Sequence, residues 1–111
     1  MVSSAAWKDF ERRVCRTLGA ERRGSAPYTT GSDDDGSAPF AIECKRTTRY
    51  QLRAQWIAQA RHQGRRDGRP WVLVISQHND RRPIAVCDFL AFAQLCEEAG
   101  RLGPLPRLLE P

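Results

Sequence analysis

Along this chain the spacing of apolar residues changes from a helical rhythm to an alternating one and back, and the changes mark the elements. Trp7, Phe10, Val14 and Leu18 recur every three or four positions, Ser3 or Ser4 can cap the start and Gly19 follows the end, which predicts a first helix to about Leu18. Glu11 comes one turn after Trp7, on the shoulder of that stripe. A carboxylate there meets the edge of a core, either as a snorkelling ion-pair residue or as part of a site. Residues 19–39 are rich in Gly, Ser, Pro, Thr and Asp and read as loop, with a short strand near 28–30 and a turn at Asp33-Asp34-Asp35-Gly36. From Phe40 to Arg46 the pattern alternates: Phe40, Ile42 and Cys44 point to one face as core, Glu43 and Lys45 to the other. A hairpin brings the Asp run alongside Glu43 and Lys45.

Tyr50 to about Arg66 reads as a second helix with Leu52, Trp56, Ile57 and Ala60 on its buried side, broken by Asp67-Gly68. The unbroken apolar run from Trp71 to Ile75 suits a strand covered on both faces. His78-Asn79-Asp80 makes a turn, Ile84 to Cys87 returns as a strand, and Asp88 caps a final helix to about Ala99, closed by Gly100. An extended tail follows from Arg101, with Pro104, Pro106 and Pro111. The order predicts an α/β fold in one domain of 111 residues, with 1–100 as its core and 101–111 as its tail.

Charge adds a partner class. The net charge is +5, carried by sixteen arginines against two lysines, and favours a polyanion. From Lys45 to Arg69 there are eight basic residues and one acid, Asp67, while acids cluster at 33–35. The four cysteines show no C-x-x-C pair and no metal-binding spacing with histidine, which argues against zinc and for reduced thiols, with Cys44 and Cys87 in strand patterns where a small buried thiol fits. With no signal peptide and no apolar run of membrane length, the expectation is a soluble, cytoplasmic protein with no membrane partner. His62 and His78 lack partners at useful spacing and read as surface residues; Trp56 and Trp71 read as core.

Lys45 stands out in a chain that otherwise prefers Arg, because an ammonium is a compact charge whose pKa responds to burial, whereas guanidinium stays charged. Phosphodiester hydrolysis must place a hydroxide in line with the scissile bond and neutralise charge in the transition state. Magnesium held by carboxylates does both, and a lysine can orient or activate the water. Taken singly, the Asp run is more often a solvated turn, and Glu43 with Lys45 an exposed ion pair worth under about 1 kcal/mol. Spaced eight to ten residues apart across a hairpin, they point together to a site.

The ordered set of helix Glu, Asp, Glu-x-Lys and a Gln-bearing helix resembles the PD-(D/E)XK nuclease superfamily. Over about residues 5–90 it is similar to the archaeal-type Holliday junction resolvases and their small phage-encoded relatives. Phe10-Glu11-Arg12-Arg13 matches the helix Glu, Glu43-Cys44-Lys45 the Glu-x-Lys, and Gln59 in Trp56-Ile57-Ala58-Gln59-Ala60 the helix Gln. Ser32 precedes the Asp run where the motif has Pro, and three acids stand where one is expected.

The resemblance implies a restriction-endonuclease-like mixed central sheet flanked by helices. It also implies a magnesium-dependent DNA endonuclease, with manganese able to substitute and no small-molecule cofactor. Glu43, one Asp and the Cys44 backbone carbonyl would hold the metal, Lys45 would assist the water, and Glu11 would add a third carboxylate or bind a second metal. The nine-residue spacing to Glu43 found in small phage-encoded members favours Asp34, with Asp33 and Asp35 as alternatives. Gln59 would support the site.

Arg46, Arg49 and Arg53 would meet phosphates, with Arg22, Arg23, Arg65, Arg66 and Arg69 as weaker candidates. The expected substrate is branched double-stranded DNA, cut in recombination and repair, in the host cytoplasm if the chain is phage-encoded. Paired cuts across a two-fold junction suit a C2 homodimer. The competing readings are a small nuclease for nicks, flaps or specific sequences, and a basic DNA-binding module without catalysis.

Overall fold

The computed structural model describes residues 4–23, 32–49, 51–78 and 81–104. It shows α1 (Ser4–Thr17), β1 (Ala41–Thr47), α2 (Ala54–Asp67), β2 (Trp71–Gln77), β3 (Ile84–Cys87) and α3 (Phe89–Gly100). The chain is a small α/β protein whose three strands form one mixed sheet in the order β1-β2-β3. β1 and β2 run parallel through the α2 crossover, with Glu43 level with Leu73 and Lys45 with Ile75; β3 returns antiparallel to β2. No helix among the described residues is long and apolar enough to cross a membrane.

Alternation along the strands builds two cores. Ile42, Cys44, Val72 and Val74 turn toward α1 and pack with Phe10, Val14 and Cys15. Leu73 and Ile75 turn toward α2 and pack with Ala60, Trp56 and Ile57. Ile42, Leu73 and Ile75 are fully buried, each worth about 1.5–3 kcal/mol of transfer free energy. On the polar face of β1 Glu43 is withdrawn from water, while Lys45 is half-buried. Glu43 and Lys45 share the α2 side with Leu73 and Ile75, and Glu43 is only 3% exposed.

Several expected boundaries move. α2 begins at Ala54; Arg53 ahead of it is extended backbone and offers no side-chain cap. Leu52 consequently lies ahead of the helix and is 52% exposed, not buried on its inner side. α2 does end where Asp67-Gly68 predicts, with Gly68 at φ 66° and its N–H returned to the last turn. Within that turn Gly64 makes a close approach: a Cβ there would lie 2.8 Å from the Arg69 carbonyl oxygen and 3.3 Å from the Trp71 Cβ.

At the third helix Asp88 caps the start as expected, accepting a hydrogen bond from the Ala91 N–H at 3.0 Å. Gly100 does not close it; the helix runs through Gly100 to a right-handed Arg101, and the left-handed glycine is Gly103, at φ 95°. The strand expected near 28–30, the start of the second helix at Tyr50 and the tail from 105 lie outside the described residues.

Candidate active site and metal centre

Residues 32–36 do not form the exposed hairpin turn that their composition suggests. They thread between residues 21–23 and β1. The Arg23 N–H donates to the Asp33 carbonyl at 2.8 Å, the Asp35 N–H to that of Glu21 at 2.8 Å, and the Asp33 N–H to that of Ile42 at 2.7 Å. Arg22 and Asp34 form an antiparallel bridge. Held in extended backbone, successive acids turn to different surroundings.

Asp34 turns into a closed structural clamp. It is 0% exposed and accepts hydrogen bonds from Arg69 Nη1 at 2.8 Å, the Gly36 N–H at 3.0 Å and the Ile42 N–H at 3.2 Å. Arg69 also donates to the carbonyls of Ala38 (2.9 Å) and Phe40 (2.7 Å) and pairs with Asp67 at 2.9 Å. Burial alone pushes the Asp34 pKa up, but the bonds from Arg69, Ser32 and two backbone N–H groups outweigh it and hold the carboxyl below its usual range. Asp35 is exposed and bonds to Ser37, which also lowers its pKa. Neither has the unsatisfied charge of a metal site.

Asp33 meets the other candidates. Its Oδ2 accepts the Cys44 N–H at 2.7 Å. Burial pushes its pKa up to about 7; the Cys44 N–H opposes this, while the charge of Glu11 and a carboxyl–carboxyl hydrogen bond to it reinforce it. On β1, burial followed by the charge of Asp33 pushes Glu43 up to about 8, only partly offset by Lys45. Glu11, 5% exposed on α1, is paired with Arg22 Nε at 2.9 Å. Lys45 Nζ donates to Gln59 Oε1 on α2 at 3.0 Å. Thus Glu11, Asp33, Glu43, Lys45 and Gln59 come together from three elements and a loop, and the favoured Asp34 stands apart.

The donor set suits a hard cation. It consists of carboxylate oxygens, and Glu43 Oε1 is buried with no hydrogen-bond partner. Among the described residues the other such oxygen is Gln63 Oε1, one turn beyond Gln59 on α2. Burial, then the charge of neighbouring carboxylates, raises the pKa values of Asp33 and Glu43, a condition that a divalent cation would relieve. Among the described residues no three His, Cys, Asp or Glu side chains converge as a ready-made ligand group. Magnesium needs no such cage; it takes one or two carboxylates and completes its shell with water and substrate oxygens. Burial raises the thiol pKa values of Cys15, to about 12, and of Cys44, so their sulfurs stay protonated and leave the site to oxygen.

The arginines divide differently from expectation. Arg22 turns inward to Glu11, and Arg23 Nε donates to the Asp34 carbonyl at 2.9 Å, so neither is presented to a phosphate backbone; Arg69 is the Asp34 clamp. Arg65 shares a cavity of about 510 Å³ with Arg61, Arg69 and Trp71. Trp71 lies four residues down the sheet from the level of Lys45, about 13 Å at strand rise. Arg66 lies beside Arg65 in the last turn of α2. Arg49 is exposed just past β1, and Arg53 lies over the Trp56 ring at 5.4 Å. Arg46 joins Arg12, Arg13 and Arg16 of α1, with Asp9, around a groove of about 450 Å³. Those three arginines were not among the expected contacts. The available signal was the run of arginine on the polar face of an amphipathic helix. No protein-family model, no curated protein and no solved structure matches the chain.

Proposed function

We propose that the chain is a magnesium-dependent DNA endonuclease of restriction-endonuclease-like architecture, acting on branched DNA and resolving four-way junctions. One observation carries the reading. Glu11, Asp33, Glu43 and Lys45, from segments far apart in sequence, lie within electrostatic reach of one another around β1, and Gln59 accepts a hydrogen bond from the lysine. The parallel β1-α2-β2 unit, which places Lys45 beneath α2, supports the same reading.

In this assignment Asp33 replaces Asp34. Asp33 and Glu43 would hold the metal, with the adjacent Cys44 carbonyl as the further ligand. Bound there, a divalent cation supplies Lewis acidity and a hydroxide at neutral pH. Because the pKa values of Glu43 and Asp33 are raised, binding of a cation there would compete with protons and be favoured as pH rises. Gln59 Oε1 accepts a hydrogen bond from the Lys45 ammonium and so helps to orient its remaining N–H bonds toward an attacking water. The Arg12, Arg13, Arg16 and Arg46 groove grips phosphates on the α1 side of the strand, since Arg46 follows Lys45 and points the opposite way.

That groove alone also serves a second reading, a DNA-binding module without catalysis. The test separates them: labelled four-way junction and matched linear duplex are incubated with the protein, with and without magnesium, beside Lys45→Ala. The proposal expects paired, magnesium-dependent nicks in the junction, reduced at least about 100-fold in the variant. Equal cutting of both DNAs would retain the nuclease and remove the junction preference, leaving nicks, flaps or a specific sequence as substrates. Binding without cutting in magnesium or manganese would leave the binding module.

A further inference from the structure

Among the described residues, two buried side-chain oxygens have no hydrogen-bond partner: Glu43 Oε1 on β1 and Gln63 Oε1 on α2. Glu43 is 3% exposed and Gln63 9%. Buried polar atoms are rarely left unanswered, so the pair calls for a reason. Gln59, Gln63 and Asp67 stand on successive turns of one side of α2. The first accepts a hydrogen bond from Lys45 Nζ at 3.0 Å. The last accepts one from Ser32 Oγ at 3.1 Å and pairs with Arg69 at 2.9 Å. Gln63 stands between these two anchored neighbours.

The register of helix on strand indicates what it faces. Gly64, next to Gln63, lies close against Trp71, which is level with Ala41 at the start of β1. α2 therefore runs back along β1, from the level of Lys45 toward that of Ala41. The step from Gln59 to Gln63 is about 6 Å along a helix, and that from Lys45 back to Glu43 about 6.6 Å along a strand. Glu43 is the β1 residue that alternation turns to α2 between those two levels.

We infer that Gln63 is a positioning residue for the cation of the proposed metal centre: its Oε1 faces Glu43 and accepts a hydrogen bond from a water in the cation's shell. The inference rests on that reading of the site. A carboxylate oxygen and an amide oxygen are both acceptors and cannot satisfy each other. An occupant that serves the two must bring positive charge to one and an O–H donor to the other. A hydrated divalent cation brings both, and magnesium keeps several of its waters when bound. An amide oxygen at this depth weakens the metal-free fold and gains its partner when the site is loaded.

Magnesium alone is titrated into the full chain by calorimetry at about pH 8.5, without DNA, so that binding rather than cutting is read. Gln63→Met keeps the length of the side chain and removes the acceptor. It is expected to weaken magnesium binding at least about tenfold, while the metal-free Tm holds or rises. Gln63→Glu restores an oxygen at the same point and is expected to bind at least as tightly as the wild type. Should the variants fail to fold, the wild-type chain provides a second measurement. Its Gln63 side-chain amide resonances are expected to shift on adding magnesium, with the midpoint of the calorimetric curve. Magnesium binding that is unchanged or tighter in Gln63→Met, or an amide that magnesium does not move, would overturn the inference and leave the metal centre standing. A wild-type chain that takes up no magnesium would remove the metal centre and the inference with it.

Discussion

Asp34 receives hydrogen bonds from Arg69, Ile42 and Gly36, whereas Asp33, one residue earlier, shares its surroundings with two more carboxyl groups. Both lie in the interior, and burial by itself raises both pKa values. The outcomes diverge because Arg69 supplies a cation to one, while only Lys45 and a single N–H oppose the crowding of the other. Burial therefore does not decide whether a carboxylate is architectural or chemical. The charge balance around it does, and a deficit of positive charge is what a metal or substrate can fill.

Breaking the satisfied side has the largest expected effect. Arg69→Ala strands Asp34 as an uncompensated interior charge, at a cost of about 3–5 kcal/mol. That is comparable with the whole stability of a small domain. Urea titration of this variant is expected to show little or no folded baseline.

Exchanging the two aspartates sharpens the contrast. Asp34→Asn loses the Arg69 pair and is expected to lower stability by about 2–4 kcal/mol, read as a fall in Tm. Asp33→Asn is expected to keep Tm within a few degrees and reduce cutting at least about 100-fold. If Asp34→Asn instead cuts poorly while remaining stable, the two roles are reversed.

A pH series probes the same deficit without mutation. The folded pKa values of about 7 for Asp33 and about 8 for Glu43 lie above ordinary carboxylate values, so the folded chain binds more protons than the unfolded chain between about pH 4 and pH 8. Their contribution to stability is full below about pH 4 and is lost as pH rises to 8. Magnesium is expected to raise Tm at about pH 9 and to have little effect at about pH 5, where protons occupy its place. Glu43→Gln is expected to flatten the metal-free profile. The smallest effect belongs to Gln59→Ala, which frees the Lys45 ammonium from its one fixed bond and is expected to lower kcat about tenfold with KM unchanged.

How far the residues foretold this depended on whether the information was local. The first helix and the Glu43-Cys44-Lys45 strand were legible because apolar period alone defines them, and the structure differs by a residue or so at their ends. Lys45 and Gln59, picked out separately, are joined by a hydrogen bond. The choice among three consecutive acids was not legible, since it depends on Arg69, 35 positions from Asp34. Alternation put Glu43 on the face opposite the Ile42 core but not its depth: nothing near β1 announces that α2 will lie over it.

Gly64 carries a consequence beyond its own helix. Its missing side chain lets the Arg69 carbonyl come within 2.8 Å of where a Cβ would stand, so the last turn of α2 rests on the backbone of the residue that clamps Asp34. A single methyl group added there would displace Arg69, loosen the strand of acids it tethers, and alter the reactive side from a position that touches none of its groups. Sequences drifting under selection for activity should therefore keep this position empty, even while the surrounding surface of the helix changes freely.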